Sequence, residues 1–218
     1  MHQSAHTASV PNLRGLYVIT DERLGGGHLR IARAGISGGA RVLQLRDKTA
    51  SDAELLPIAR EIRKLTSNSG VLFVMNDRLE LALKIGADGV HLGPGDLAVE
   101  QARRIAGNDF LIGASCGTPE EARVAEHDSA NYIGAGAVFG TATKLDAGEA
   151  IGLETLRQIV SSTRLPVAAI GGINACNIAS TIEAGAQMAC VVSAVASAGN
   201  EIQMANAARE LVIIFNEP

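Results

Sequence analysis

The sequence predicts a single-domain α/β fold, a (β/α)8 TIM barrel, from three observations. Short runs rich in β-branched residues alternate with longer segments of helical spacing along the chain, and such alternation implies parallel strands joined by crossover helices. The runs are apolar at nearly every position, as happens when both faces of a sheet are covered. Eight strand–helix units fit within 218 residues, a length that an α/β barrel uses as one domain. A doubly wound open sheet is the competing architecture, but eight consecutive units favour closure. No linker, low-complexity tract or shift in composition marks a second domain.

In chain order the strand runs are "LRGLYVIT" from Leu13, "RVLQLR", "VLFVMND", "GVHLG", "FLIGASC", "YIGAGAVF", "PVAAIGG" and "MACVVSA", which ends at Ala194. Between them lie helical patterns such as "SDAELLPIAREIRKL", "DRLELALKIGA", "TPEEARVAEH" and "NACNIASTIEAGA", and "IQMANAARELVIIF" closes the chain. Cap candidates stand at helix starts: Ser51 with Glu54 three residues on, Thr118 with Glu121, and Asn174. Glycines in "ARAGISGGA", "LKIGADG" and "IEAGA" sit where a left-handed residue closes a helix. Residues 1–12 read as a mobile tail and 13–218 as the barrel.

Composition narrows the function. Hydrophobic residues make up 47% of the chain, enough for a large aliphatic core without tryptophan. The net charge of −4 carries no general nucleic-acid footprint, so any cationic cluster is local. Three dispersed cysteines, Cys116, Cys176 and Cys190, argue against a disulfide framework and for a reducing compartment. The N-terminal residues lack the apolar core of a signal peptide, and no apolar run approaches the roughly 18 residues of a membrane span. The expectation is a cytoplasmic protein with no nucleic-acid or membrane partner; a homo-oligomer is compatible with the sequence.

Barrel active sites form at the C-terminal ends of the strands, and that is where this chain places its polar residues. In "VLQLRDK", Val42, Gln44, Arg46 and Lys48 share one face of an extended chain. Buried cations need a partner: an ion pair would serve for one of them, but three polar residues on one strand end point to an anionic ligand. Asp77 and Asp96 follow adjacent strands and suit Mg2+ held between protein and the phosphates of a ligand. Each is also placed to cap the helix after it, and the two roles are compatible. "GTATK" after strand 6 and "GGIN" after strand 7, with Ser193 on strand 8, suggest a second anion site. His91 reads as a hydrogen-bonded core or helix-facing residue, Cys116 as inert and His28 as a surface residue.

The motifs "LYVITD", "QLRDK", "VMND…ADGVHLG…D", "GASCGT", "YIGAGAVFGTATK", "AIGGI" and "VVSA", in this order from about Leu13 to Ala194, resemble those of the thiamine-phosphate synthase family. The resemblance implies a Mg2+-dependent transferase that joins 4-amino-5-hydroxymethyl-2-methylpyrimidine diphosphate to a thiazole phosphate, with pyrophosphate leaving. Position by position it implies that Gln44, Leu45, Arg46, Asp47, Lys48, Asn76, Ser115 and Lys144 hold the pyrimidine diphosphate, with Arg46, Lys48, Lys144 and Ser115 acting in catalysis. Asp77 and Asp96 would bind Mg2+, and Thr141, Thr143, Gly172, Val192 and Ser193 would surround the thiazole phosphate. Departures from the family pattern are Gly117, where "S-x-H-T" places histidine, and Gly140, where proline is common. The related thiazole tautomerases tend to keep that histidine and lose the Asn-Asp pair. Here Asn76-Asp77 is present and the histidine is absent, which favours the synthase over the tautomerase. A non-catalytic barrel that binds thiamine intermediates, and another phosphate-binding barrel enzyme, are the remaining alternatives; the latter leaves Gln44, Arg46 and Lys48 beside two aspartates unexplained.

Overall fold

The computed structural model of the protein describes residues 13–141 and 149–217. Eight parallel strands, β1 (Gly15–Ile19), β2 (Val42–Leu45), β3 (Leu72–Asn76), β4 (Gly89–Leu92), β5 (Leu111–Cys116), β6 (Tyr132–Gly136), β7 (Val167–Ile170) and β8 (Met188–Val191), form a closed barrel in sequence order. Closure is made by β1, which pairs with both β2 and β8. Around it run α1 (His28–Ser37), α2 (Asp52–Ser69), α3 (Leu79–Ile85), α4 (Val99–Ala106), α5 (Pro119–His127), α6 (Gly152–Ser162) and α7 (Ile178–Glu183). A single-turn α8 (Ser193–Ala196) precedes the terminal α9 (Glu201–Asn216). Among the described residues no helix is long and apolar enough to cross a membrane.

Two apolar layers follow from strand alternation. Tyr17, Val42, Val74, Leu111, Tyr132, Ala168, Met188 and Cys190 fill the barrel interior as one cluster. Leu16, Val18, Leu43, Leu45, Phe73 and Met75 point the other way, into the layer between sheet and helices. The β2 register is therefore the expected one, with Val42 and Gln44 inward and Leu43 and Leu45 outward. Each fully buried Leu or Phe contributes about 1.5–3 kcal/mol. On α9, Met204, Ala208, Leu211 and Phe215 recur at helical spacing and are buried. That helix lies so close to the end of α1 that a Cβ at Gly38 would stand 2.4 Å from the Ala208 Cβ.

The helix ends show which short-range signals operate. Ser51 and Glu54 form a capping box on α2, and the Thr118 hydroxyl caps α5 through the Glu121 amide. Gly86 closes α3 in the left-handed conformation, whereas Gly38 closes α1 in a right-handed one. Asn174 is not a helix cap: α7 begins four residues later, and Asn174 Oδ1 instead accepts from the Cys176 amide. Ser193 is not on a strand, because β8 ends at Val191 and Ser193 opens α8.

Candidate active site

A cavity opens at the C-terminal ends of the strands, where sequence placed the polar residues. Gln44, Arg46, Asn76, Ser115, Thr141, Gly172, Val192 and Ser193 all line it. Thr143 and Lys144 lie outside the described residues. The side chains of Leu45 and Asp47 face elsewhere, as the alternation of an extended chain requires. Leu45 packs in the helix-facing core, and Asp47 turns toward α1.

At the rim, Lys48, Asp77 and Asp96 come together. The Lys48 ammonium bonds the Asp77 carboxylate and lies 3.7 Å from Asp96 Oδ1. Asp77 is not an N-cap: Arg78 holds that position without a side-chain bond. The Asp77 amide donates to the His91 carbonyl at 2.9 Å, and the residue then turns left-handed with φ 55°, a conformation that aspartate tolerates better than most residues. This turn re-aims its carboxylate at the rim, where Asn76 Nδ2 donates to it at 2.9 Å. Nor does Asp96 cap α4, which starts at Val99; its Oδ2 accepts from the Gly93 amide at 2.7 Å.

Asp77 and Asp96 form an all-oxygen donor pair that already converges on a cation, the Lys48 ammonium. Among the described residues no cluster of three or more His, Cys, Asp or Glu side chains could ligate a metal. A pair of carboxylates with phosphate and water completing the shell is the pattern Mg2+ prefers. The residues present therefore fit that ion.

Sequence reasoning missed the floor of the cavity. Gln44 Nε2 donates to the Tyr17 hydroxyl at 2.7 Å, which lies 3.0 Å from the Tyr132 hydroxyl. Tyr132 Oη is 3.1 Å from His91 Nδ1, and His91 Nε2 is 2.9 Å from Ser115 Oγ. A continuous polar chain thus crosses the barrel from β2 to β5. Burial first, then the neighbouring Tyr132 phenol, pushes the Tyr17 phenol up, and burial also pushes Tyr132 up. Both remain neutral hydrogen-bonding groups. Glycines make room for the rings: a Cβ at Gly113 would overlap Tyr132, and one at Gly134 would stand 2.7 Å from His91 Cε1. His91 is thus inward and hydrogen-bonded rather than helix-facing.

His28 is also not a surface residue. Its side chain is 1% exposed, with Nδ1 2.8 Å from Thr20 Oγ1 and Nε2 3.2 Å from Asp47 Oδ2. Cys116 fits its reading as inert: burial, with Glu121 adding to it, pushes the thiol up to about 12. Across the cavity, Gly171 and Gly172 both take positive φ, and a Cβ at Gly172 would meet the Gly140 carbonyl at 2.6 Å. The loops after β6 and β7 touch through backbone there. Because α7 starts only at Ile178, "GGIN" is a turn and not a helix N-terminus.

Comparison with known proteins identifies the family. The family described as thiamine monophosphate synthase matches residues 16–195. The thiamine-phosphate synthase of Moorella thermoacetica is 45% identical over 199 residues, which cover 90% of this chain and 95% of that protein. That of Methanospirillum hungatei is 49% identical over 183 residues, or 83% and 89%. A solved structure of thiamine phosphate pyrophosphorylase from Pyrococcus furiosus superposes with a TM-score of 0.87 at 42% identity, covering 94% of this chain and 97% of that one. With that family matching most of the chain and these relatives 45% and 49% identical over nearly their whole length, the chain belongs to the thiamine-phosphate synthase family.

Proposed function

We propose that the protein is a cytoplasmic, Mg2+-dependent transferase that condenses 4-amino-5-hydroxymethyl-2-methylpyrimidine diphosphate with 4-methyl-5-(2-phosphoethyl)thiazole to give thiamine phosphate and pyrophosphate. The observation that carries this reading is the convergence of Gln44 and Arg46 in the cavity with Lys48, Asp77 and Asp96 at its rim. Family membership supports it independently.

Gln44, its amide oriented by Tyr17, presents hydrogen-bonding groups to an aminopyrimidine. Arg46 and Lys48 receive the diphosphate, and Asp77 and Asp96 hold Mg2+. When bound, that ion would neutralise charge on the departing diphosphate. The bond between the pyrimidine methylene and the diphosphate oxygen breaks, and its electron pair leaves with pyrophosphate. The lone pair of the thiazole nitrogen then forms the new C–N bond. Catalysis is positioning and charge stabilisation, so it requires no nucleophile–base pair. Thr141, Gly172, Val192 and Ser193 line the opposite side of the cavity, where the thiazole phosphate fits; Thr143 and Lys144 belong to the same proposal. A tautomerase reading gains nothing from position 117, where glycine offers only its amide, bonded to Glu121 at 2.6 Å.

Incubation with both substrates and Mg2+, followed by oxidation and thiochrome fluorescence, tests the proposal. Product should form with Mg2+, vanish with EDTA and fall by about 100-fold or more in Asp96→Ala. Demonstrable binding of the thiazole phosphate without any product would overturn it.

A further inference from the structure

The short strand β2 ends at Leu45, and the three residues after it carry the cations Arg46 and Lys48. At the end of the strand the Thr20 amide donates to the Gln44 carbonyl at 2.9 Å, and beyond it the Arg46 amide reaches the Thr20 hydroxyl at 3.4 Å. What holds this segment is the one residue in it that points away from the cavity. Asp47 Oδ1 accepts from the Thr49 amide at 2.7 Å, the Thr49 hydroxyl at 2.8 Å and the Ala50 amide at 2.9 Å. Its Oδ2 meets His28 Nε2 at 3.2 Å, and both side chains are buried. Arg78 donates to the carbonyls of Asp47 and Ala50 at 3.0 and 2.6 Å, closing the segment from the far side.

The hydrogen-bond directions are consistent. The Thr20 hydroxyl accepts from the Arg46 amide and can donate to His28 Nδ1, which leaves the proton on Nε2. An imidazolium would also carry that proton, so in either state Nε2 donates to Asp47. Glu22 Oε2 also approaches Nε2, at 3.4 Å, but its side chain is 60% exposed, and the shorter contact is the buried one.

We propose that His28 is a positioning residue: by clamping Asp47 against Thr20, it sets the placement of Arg46 and Lys48 for a diphosphate. Asp47 stands between two cations whose side chains alternate with its own, so a shift at Asp47 moves both together. Because displacements of about 1 Å at positioning groups cost large factors in rate, His28 influences the reaction without touching the substrate. This rests on the function proposed above as far as the identity of the diphosphate is concerned; the clamp itself requires only a diphosphate.

The test combines titration of inorganic pyrophosphate with Mg2+ into the full chain and steady-state kinetics with both substrates. In His28→Leu, the pyrophosphate Kd and the KM for the pyrimidine diphosphate should rise together by about ten-fold, the size usual for loss of an outer hydrogen bond behind a ligand. The KM for the thiazole phosphate should stay within about two-fold. His28→Gln, which keeps a donor near the Nε2 position, should recover part of the loss. Pyrophosphate binding within about two-fold of the parent in folded His28→Leu overturns the proposal, as does an equal rise in both KM values. Should His28→Leu not fold, Asp47→Asn takes the same measurements with the same expected and overturning results. If the parent binds pyrophosphate, His28→Leu weakens it and no thiamine phosphate forms, the clamp stands and the transferase reading falls. If the parent binds no pyrophosphate, both fall.

Discussion

At the scale of residues, the arrangement around Ser115 depends on groups remote in sequence. Its hydroxyl meets His91, 24 positions earlier, and His91 meets Tyr132, 41 positions on. Gly134 bounds this arrangement sterically, since a Cβ there would press on His91 Cε1 and Nε2 at 2.7 and 3.1 Å. Gly134→Ala should displace the imidazole from Ser115 and lower kcat/KM by about 10- to 100-fold, with the folded barrel retained by circular dichroism. Unchanged kcat/KM would show that Ser115 needs no support from His91. Alternation within "VLQLRDK" was enough to bring Gln44 and Arg46 into the cavity, because that pattern is local. The partners of His91 and the burial of His28 were not legible. Each is decided by residues on other strands or loops, and neither spacing nor composition around them points to those residues.

Elements were legible where their boundaries are set by nearby side chains. Ser51 and Glu54 reach each other across one turn, and the predicted box forms, with the Ser51 amide donating to Glu54 Oε2 at 2.8 Å. Ser51→Ala should cost about 1 kcal/mol, lowering Tm by about 2–4 °C for a chain of this size. Because Ser51 is exposed and outside the cavity, kcat/KM should hold. A thermal melt with a parallel activity assay checks both, and a loss of activity at unchanged Tm would couple α2 to the rim. The caps expected at Asn174, Asp77 and Asp96 failed for a shared reason. Each is a short polar side chain in a loop that turns before its helix starts. The Asn174 and Asp96 side chains bond backbone within their own turns, and Asp77 turns left-handed. Such residues serve a turn or a cap equally well in sequence, and tertiary placement chooses between them.

At the scale of the whole molecule, the parallel pairing of β1 with β2 brings the ends of these strands into a seam whose carboxylates, Asp21 and Asp47, are held ionised. Eight repeats of strand and helix made the barrel readable, and the rule that barrel sites form at the strand ends pointed to many of the residues that line the candidate cavity. The electrostatics of the seam come only from the folded chain. The Arg23 guanidinium bonds Asp21 and holds its carboxyl below the usual range against the opposing effect of burial. Burial pushes the Asp47 carboxyl up, but the Ala50 and Thr49 amides, the Thr49 hydroxyl and His28 outweigh it and hold it far below. A carboxyl depressed in the folded state adds stability in full above its unfolded value, about 3.9, and that stability erodes as pH falls toward the lower folded value. Acid should therefore weaken the barrel progressively below about pH 4, and Asp47 should account for part of the loss. Melting the parent protein and Asp47→Asn at several pH values separates that part. The Tm difference between them at about pH 5, where the parent carboxylate is almost fully charged in both states, should shrink by about pH 3, where the unfolded chain is mostly protonated. A difference that stays constant down to that pH would mean that Asp47 stabilises the seam by shape alone and not by charge.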